Sequence, residues 1–194
     1  MRDGARARLR HQAAEEVAVT PAAAADRLAA FLGPGPFRLV IDGRSGAGKT
    51  TLARAVAAAR GARLVSLDEF YPGWGGLARA TPVAARILTD HAAGRAATYR
   101  RWDWERGEYE TRERRVDPGE PLVIEGCGSL SPAAARAATC AVWLDADAHA
   151  RRDRALARDG DRFRPFWDMW AAQEDAHILD HAPESLATFA WCMA

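Results

Sequence analysis

Residues 43–50 of the chain read Gly43-Arg44-Ser45-Gly46-Ala47-Gly48-Lys49-Thr50. The stretch fits the pattern GxxxxGK[ST], in which glycines let the backbone bend so that successive N–H groups point at phosphate oxygens. An apolar run precedes it and a helical pattern follows it, which is the strand–loop–helix setting that this pattern requires. The helix adds its positive N-terminal end at the same place. We therefore predict a loop that binds the phosphates of a nucleoside triphosphate, with ATP and Mg²⁺ as the expected ligands.

Two side chains of this loop have separate expected roles. Lys49 is expected to reach the β- and γ-phosphates, and the hydroxyl of Thr50 is expected to ligate Mg²⁺. Backbone N–H groups supply the other phosphate contacts. The predicted ATP-binding residues are Gly43, Ser45, Gly46, Ala47, Gly48, Lys49, Thr50 and Thr51.

Lys49 is the only lysine in the chain, and the other basic residues among the 27 are all arginines. Lysine is a compact ammonium on a flexible stem, whereas arginine is a wide planar fork. A single lysine in such a chain indicates a position where the fork does not fit. Chance placement is the alternative, and the position of Lys49 inside the phosphate-loop pattern argues against it.

Strand and helix patterns alternate along the chain around this loop. Short runs rich in Val, Leu and Ile predict strands at residues 37–42, 63–68, 121–125 and 140–145. Helical patterns lie at residues 49–60, 82–93, 132–138 and 148–159. This alternation predicts an α/β fold with a mainly parallel sheet. The segment 71–118, rich in Trp, Tyr, Arg and Glu, is predicted to cover the sheet edge near the site.

The chain divides into an N-terminal part and one larger domain. Residues 21–32 predict a helix, with Thr20 as its cap, Pro21 at its first position and Gly33 after its end. We assign residues 1–36 to this helix and a linker, and residues 37–194 to the domain with the phosphate loop. With 194 residues and 48% hydrophobic content, the chain is long enough to bury one proper core.

The composition argues against several other classes of protein. The longest apolar runs are too short to cross a bilayer, and the first residues lack the apolar stretch of a secretory signal. The three cysteines lie far apart, which predicts buried thiols in a reducing cytosol. A formal net charge of +1 without a long basic run gives no sign of nucleic-acid binding. We expect a cytoplasmic protein with no membrane and no nucleic-acid partner, and the composition carries no signal for its oligomeric state.

Two predicted strands end in carboxylates. The second strand runs into Asp68, and the third ends at Glu125. Ligands of parallel α/β sheets bind at the carboxyl ends of the strands, so both side chains are expected beside the phosphates. Each could instead merely end a strand and cap a turn. Their joint occurrence after a phosphate loop favours a functional role.

Several segments, in this order, resemble one known family. They are the phosphate loop, Asp68-Glu69-Phe70-Tyr71, Trp102-Asp103-Trp104, Ile124-Glu125-Gly126 and an arginine-rich stretch, together spanning residues 37–165. The chain thereby resembles the uridine kinase-like branch of P-loop small-molecule kinases, which also includes phosphoribulokinase and pantothenate kinase. It departs from that family by carrying Trp where Tyr and Phe are usual, and by lacking a recognisable histidine-containing stretch after them.

The resemblance implies a three-layer P-loop kinase fold and transfer of the γ-phosphoryl group of ATP to an acceptor hydroxyl, with a nucleoside as the candidate acceptor. It implies that Asp68 is the catalytic carboxylate and that Glu125 holds Mg²⁺ together with Thr50. Exchanging the roles of the two carboxylates would fit the sequence almost as well. An alternative to an active kinase is a nucleotide-binding regulatory or partner-dependent module with little turnover.

A run of arginines follows the fourth predicted strand. Arg151, Arg154 and Arg158 lie at helical spacing on one face, within a predicted lid at residues 148–165. A solvated face neutralised by neighbouring aspartates is the alternative. Arginine forks suit the oxygens of a transferring phosphoryl group. We therefore predict Lys49, Asp68, Arg154 and Arg158 as the catalytic residues.

The acceptor side and the end of the chain are less strongly patterned. Tyr71, Trp102 and Asp103 are the predicted acceptor-binding residues, because aromatic rings flanked by charge can stack on a base and bind a ribose. The tryptophans could equally anchor a long segment on the core. Residues 165–180 have a helical pattern, and residues 187–194 could form a short fifth strand although they lack a Val-rich run. This unusual ending motivates the regulatory alternative.

Overall fold

The computed structural model describes residues 19–194, in which strands and helices alternate. Its strands are β1 (Arg38–Gly43), β2 (Arg63–Ser66), β3 (Ala97–Asp103), β4 (Glu108–Val116), β5 (Leu122–Glu125), β6 (Cys140–Asp145) and β7 (Phe189–Cys192). Its α-helices are α1 (Pro21–Leu32), α2 (Lys49–Arg60), α3 (Leu77–Ala92), α4 (Pro132–Ala137), α5 (Ala148–Asp159), α6 (Trp167–His181) and α7 (Pro183–Leu186). Short 3₁₀ turns lie at Leu67–Glu69, Gly160–Arg162 and Arg164–Phe166.

Five strands form one sheet in the order β2-β5-β1-β6-β7, and all neighbouring pairs are parallel. Strand β1 is central, with Ile41 paired to Glu125 on one side and to Val142 on the other. Strands β1, β5 and β6 are buried along nearly their whole length, as expected for strands covered on both faces. Because all five strands point the same way, their carboxyl ends meet at one edge of the sheet.

Helices cover both faces of this sheet. On one face Leu28 of α1 and Leu52 of α2 share a core cluster with Leu39 of β1. On the other face Ile87 of α3 shares a cluster with Val40, the next residue of β1. Successive residues of β1 thus enter opposite cores, as the period of two in a strand requires. The predicted α/β fold, with three layers and a mainly parallel sheet, is confirmed.

Helix α3 begins earlier than its sequence predicts. A start at Pro82 is wrong, because the helix runs from Leu77 and contains Pro82 in its sixth position. Proline favours the first turn of a helix since it has no N–H to donate, and this preference suggested the later start. The turn before Pro82 buries Leu77 and Ala80 in the core. The free energy gained by this burial outweighs the loss of the hydrogen bond that proline cannot donate.

The segment 71–118 contains α3 and an antiparallel hairpin formed by β3 and β4. The hairpin packs Ala97, Tyr99 and Val116 into the same core cluster as α3. Its outer positions carry exposed charges such as Arg100 and Glu113. The hairpin is thus a surface element held on the sheet by one apolar face.

The C-terminal stretch does form a fifth strand of the sheet. Strand β7 pairs in parallel with β6, and its outer edge meets Val19 in an isolated bridge to Met193. Only Phe189 and Trp191 of β7 face the core, while Ala190 and Cys192 are exposed. This half-buried edge position explains why β7 lacks the Val-rich pattern of a central strand.

The N-terminal helix belongs to the same packed body as the sheet, since Ala24 and Leu28 lie in the core beside α2. Residues 1–18, the beginning of the predicted N-terminal part, lie outside the described residues. Within residues 19–194, no helix combines the length and the apolar character needed to cross a bilayer.

Candidate active site

The phosphate loop connects β1 to α2 at the carboxyl edge of the sheet. Gly43 and Gly46 both have positive φ, at 145° and 78°. A Cβ atom on Gly43 would lie 2.0 Å from the carbonyl oxygen of Leu144, and one on Gly46 would lie 2.0 Å from that of Arg151. Only glycine therefore lets the loop pass this close to β6 and α5.

Lys49 lies at the bottom of the site, and its side chain is nearly buried. Its Nζ donates to the carbonyl oxygen of Arg44 at 2.9 Å and lies 3.3 Å from Sγ of Cys127. Burial lowers the pKa of Lys49, but the surrounding carboxylates, with Glu174 foremost and then Glu125 and Asp42, outweigh it and raise the pKa. The ammonium is therefore charged at neutral pH and suited to bind phosphate.

Thr50 and Glu125 come together beside Lys49. The Thr50 hydroxyl lies 3.3 and 3.2 Å from the two carboxylate oxygens of Glu125, and Ser66 donates to Oε1 at 2.6 Å. Burial raises the pKa of Glu125, and the negative charge of Asp68 adds to that shift. A hydroxyl and a carboxylate in one recess are the oxygen ligands that Mg²⁺ prefers.

The same region holds no dense set of metal-binding side chains. Within the described residues, no group of three or more His, Cys, Asp or Glu side chains could hold a metal ion alone. Mg²⁺ in nucleotide sites is held by one or two protein oxygens together with the phosphates and water. The Thr50–Glu125 pair fits this requirement.

Asp68 follows β2 in the 3₁₀ turn Leu67–Glu69, facing the same recess. Its carbonyl oxygen accepts a hydrogen bond from Nε1 of Trp104 at 3.1 Å, which fixes its backbone. Its carboxylate has no hydrogen-bond partner among residues 19–194. The protein around it limits hydration and raises the pKa of Asp68, while Arg158 and Lys49 act in the opposite direction.

These groups line one cavity of about 210 Å³. One side is formed by the phosphate loop with Lys49, Thr50, Glu125 and Cys127. Its other side is formed mainly by aromatic residues and charged groups, namely Asp68, Tyr71, Trp74, Trp104, Arg158, Asp159, Phe163 and Trp170. A volume below the range of about 300–1,000 Å³ for whole ligand pockets suits the phosphate end of a nucleotide and a small acceptor, rather than an entire nucleotide.

The three arginines of α5 point to three different places. Arg158 lines the cavity and pairs with Asp159 at 2.6 Å. Arg154 donates to the carbonyl oxygen of Ala194 at 3.2 Å and is absent from the cavity lining. Arg151 lies beneath the phosphate loop and bonds the carbonyl oxygen of Ala146 at 3.0 Å. Helical spacing placed them on one side of α5, but only the end of the helix reaches the cavity.

The predicted acceptor-binding residues are also separated. Tyr71 lines the cavity and donates its hydroxyl to the carbonyl oxygen of Cys127 at 2.7 Å. Trp102 instead packs edge-on against Tyr109 in the hairpin, with ring centres 5.0 Å apart. Asp103 accepts the backbone N–H groups of Glu105 and Arg106 and so shapes the hairpin turn. Neither Trp102 nor Asp103 lines the cavity.

An aromatic cluster forms much of the cavity wall. Trp74 stacks on Phe163 with ring centres 5.0 Å apart, and it packs against Trp104 at 4.9 Å. Trp170 of α6 lines the same wall, and its buried indole N–H has no partner among the described residues. The aromatic-rich segment 71–118, predicted to lie near the site, supplies Trp74 and Trp104, whereas nothing in the sequence indicated that Trp170 would join them.

Comparison with known proteins supports the architecture. A possible uridine kinase from Bacillus stearothermophilus superposes with a TM-score of 0.56 at 19% identity, over 87% of this chain and 97% of that one. A candidate fructose transport system kinase from a Silicibacter species gives 0.52 at 18% identity, over 89% and 99%. The chain has the P-loop kinase fold. No protein-family model and no curated protein matches the sequence.

Proposed function

We propose that the chain is an ATP-dependent small-molecule kinase that transfers the γ-phosphoryl group of ATP to an acceptor hydroxyl. One observation carries this proposal. Lys49, the Thr50–Glu125 pair and the carboxylate of Asp68 line a single cavity at the carboxyl edge of a P-loop kinase sheet. Related folds bind nucleotides there, and phosphoryl transfer needs a cation, a metal site and a group that orients the nucleophile.

On the donor side, the phosphate loop and Lys49 bind the triphosphate of ATP. Backbone N–H groups and the start of α2 face the phosphate oxygens, and the Lys49 ammonium neutralises charge that grows on them during transfer. Thr50 and Glu125 would hold Mg²⁺, which supplies further neutralisation of the phosphate charge when bound.

On the acceptor side, Asp68 orients the acceptor hydroxyl and takes up its proton late in transfer. The acceptor oxygen forms a bond to the γ-phosphorus, and the bond from that phosphorus to the β–γ bridging oxygen breaks, which leaves ADP. The raised pKa of Asp68 strengthens the carboxylate as a base. Within residues 19–194 no group bonds the Asp68 carboxylate, which supports this role, whereas Glu125 is already engaged by Thr50 and Ser66.

The lid contributes Arg158 and a barrier against water. Arg158 lines the cavity, where its guanidinium can stabilise the transferring phosphoryl group. Phe163 follows it and stacks on Trp74, which closes the aromatic wall. Excluding water from this space suppresses hydrolysis of ATP in the absence of an acceptor. Arg154, which bonds the end of the chain, is left out of the proposed machinery.

The aromatic wall favours an acceptor with a planar group, and a nucleoside is our candidate. Trp104 is partly exposed in this wall and packs against Trp74. A base can stack on an exposed ring of this kind. The regulatory alternative was motivated by the unusual end of the chain; since β7 adds a fifth parallel strand there, we propose the kinase alone.

An acceptor screen tests this function. The pure protein is incubated with ATP, Mg²⁺ and pools of nucleosides, vitamins, sugars and aminoglycosides, and ADP is measured. We expect ADP release that depends on one pool, and a loss of about a hundredfold or more in Asp68→Asn with ATP binding largely intact. ADP release without acceptor dependence would favour the regulatory module, and near-normal transfer by Asp68→Asn would move the catalytic role to another group.

A further inference from the structure

A buried carboxylate from α6 contacts the phosphate loop directly. Oε1 of Glu174 accepts the backbone N–H of Ser45 at 2.8 Å, although 129 residues separate the two along the chain. Both side chains are nearly buried, with exposures of 4% and 7%. The hydrogen bond occupies an N–H of the phosphate loop with a protein group.

Ser45 is also held from its other side. Nη1 of Arg151, on α5, lies 3.4 Å from the carbonyl oxygen of Ser45. The next residue, Gly46, passes so close to the carbonyl oxygen of Arg151 that no side chain fits. The start of the loop is therefore clamped between α5 and α6.

Glu174 reaches Lys49 through a thiol. Cys127 donates its S–H to Oε1 of Glu174 at 3.2 Å, and its sulfur lies 3.3 Å from Nζ of Lys49. Burial raises the pKa of Cys127 to about 12, so the thiol keeps its proton at neutral pH and can donate to Glu174. The three groups form one chain of contacts from α6 to the phosphate-binding ammonium.

Helix α6 is itself fixed against the sheet and the cavity wall. His177, one turn after Glu174, bonds Oδ2 of Asp42 at 3.0 Å, and Asp42 immediately precedes the loop. Gln173, the residue before Glu174, donates to the carbonyl oxygen of Trp74 at 2.8 Å. Glu174 is thus carried by a helix anchored on both sides of it.

We propose that Glu174 is a positioning residue that holds the phosphate loop ready for the triphosphate. It fixes the Ser45 N–H, and through Cys127 it fixes the ammonium of Lys49. The inference rests on the proposed function for its ligand, ATP, but the contact itself involves only residues of this chain. It also removes the Ser45 N–H from the donors available to phosphate, and leaves that task to the following residues of the loop.

Two substitutions distinguish the effect of the Glu174 side-chain length, which allows the hydrogen bond to Ser45, from the effect of its charge. Glu174→Gln keeps the length and an acceptor oxygen but removes the negative charge. Glu174→Asp keeps the charge but is one methylene too short to reach Ser45. If the hydrogen bond positions the loop, Glu174→Asp raises the Kd for Mg·ATP by about tenfold, whereas Glu174→Gln stays within about threefold of the wild type. Asp180→Asn, an exposed carboxylate on the same helix, is the matched control.

Titration calorimetry with Mg·ATP gives the affinities, and thermal unfolding checks that each variant is folded. The reverse order, with Glu174→Gln the weaker binder, would show that charge matters and overturn the proposal. Tighter binding by Glu174→Asp would show a carboxylate that competes with phosphate, and unchanged binding in both variants would also overturn it.

Hydrogen exchange of the loop peptide provides a readout that needs no nucleotide. We expect the Ser45 amide to exchange slowly in the wild type and in Glu174→Gln, and at least about tenfold faster in Glu174→Asp. Equal exchange in all three contradicts the proposal even if ATP binds. Conversely, the wild type could protect the Ser45 amide and yet fail to bind Mg·ATP. That result would leave the contact between Glu174 and Ser45 intact and would refute the proposal that ATP is the phosphoryl donor.

Discussion

At the scale of single residues, the site depends on the compactness of Lys49. Its Nζ lies between the carbonyl oxygen of Arg44 and the sulfur of Cys127, at 2.9 and 3.3 Å. A guanidinium is wider and cannot enter this space without displacing the loop. We expect Lys49→Arg to raise the Kd for Mg·ATP more than about tenfold although it keeps the charge, as measured by calorimetry.

The control for this substitution is Arg54→Lys, an exposed exchange of the same two residue types on helix α2. It should bind Mg·ATP like the wild type. Lys49→Ala should also abolish stabilisation by ATP in thermal unfolding. Wild-type affinity in Lys49→Arg would mean that the lone lysine of this chain was placed by chance.

The three cysteines differ in reactivity at the same scale. Burial raises the pKa of both Cys127 and Cys140 to about 12, whereas Cys192 is exposed on the edge strand. Relative to an ordinary thiol, a rise from 9.0 to about 12 lowers the thiolate fraction on the order of a thousandfold. We expect N-ethylmaleimide at pH 7.5 to label Cys192 alone, as seen by peptide mass mapping. Labelling should reach all three thiols in denaturant, and fast labelling of Cys127 in the folded protein would contradict this prediction.

At the scale of elements, the close approach of the phosphate loop to α5 makes Gly46 irreplaceable. A Cβ at this position would overlap the carbonyl oxygen of Arg151, and its φ of 78° strains any other residue. We expect Gly46→Ala to lower Tm by at least about 4 °C and to abolish ATP binding. Gly75→Ala is the control, because a Cβ at Gly75 meets no atom within 4 Å. Equal Tm values for the two variants would show that α5 can move away from the loop.

Elements whose signal is local were predicted well from the sequence. Helix α2 was bounded by the loop pattern at Lys49 and by Gly61, which has the left-handed conformation of a helix end. The N-terminal helix was bounded by Thr20, Pro21 and Gly33 in the same way. The start of α3 was not predicted, because burial of Leu77 and Ala80 outweighs the local preference of Pro82. The strand β7 was one possibility that the sequence left open, because a half-buried edge strand lacks the Val-rich pattern of a central one.

At the scale of the whole molecule, the two halves of the site differ in how far apart their residues lie in the sequence. The phosphate-loop half is built on one continuous stretch, and Glu125 joins it from the end of a strand, as Asp68 joins the facing side, so a motif and a rule about sheets were enough to predict these positions. The acceptor wall combines Trp74, Trp104 and Trp170, which lie on separate elements, and no local pattern connects them. Glu174 likewise reaches Ser45 only through the complete fold.

The raised pKa of Glu125 affects the stability of the whole protein. Burial and Asp68 raise the pKa of Glu125, so the folded protein binds this proton more tightly than the unfolded chain does. The stabilisation that comes from the neutral form is therefore complete at acid pH and is lost as pH rises through the raised pKa. At neutral pH the charged form costs stability, and Glu125→Gln removes this cost while its amide oxygen can still accept from Thr50 and Ser66.

We expect Glu125→Gln in EDTA to raise Tm by about 2–4 °C at pH 8, with the difference shrinking as pH falls towards the acid range. The same variant should lose most of the Mg²⁺ dependence of ATP binding, because a proposed metal ligand is gone. Thermal unfolding between pH 5 and pH 8 measures the first effect, with Glu113→Gln on the exposed face of the hairpin as the control. A lower Tm for Glu125→Gln at every pH would mean that the ionised carboxylate stabilises the fold through its hydrogen bonds. The charge of Glu125 would then not lower the stability of the protein at neutral pH.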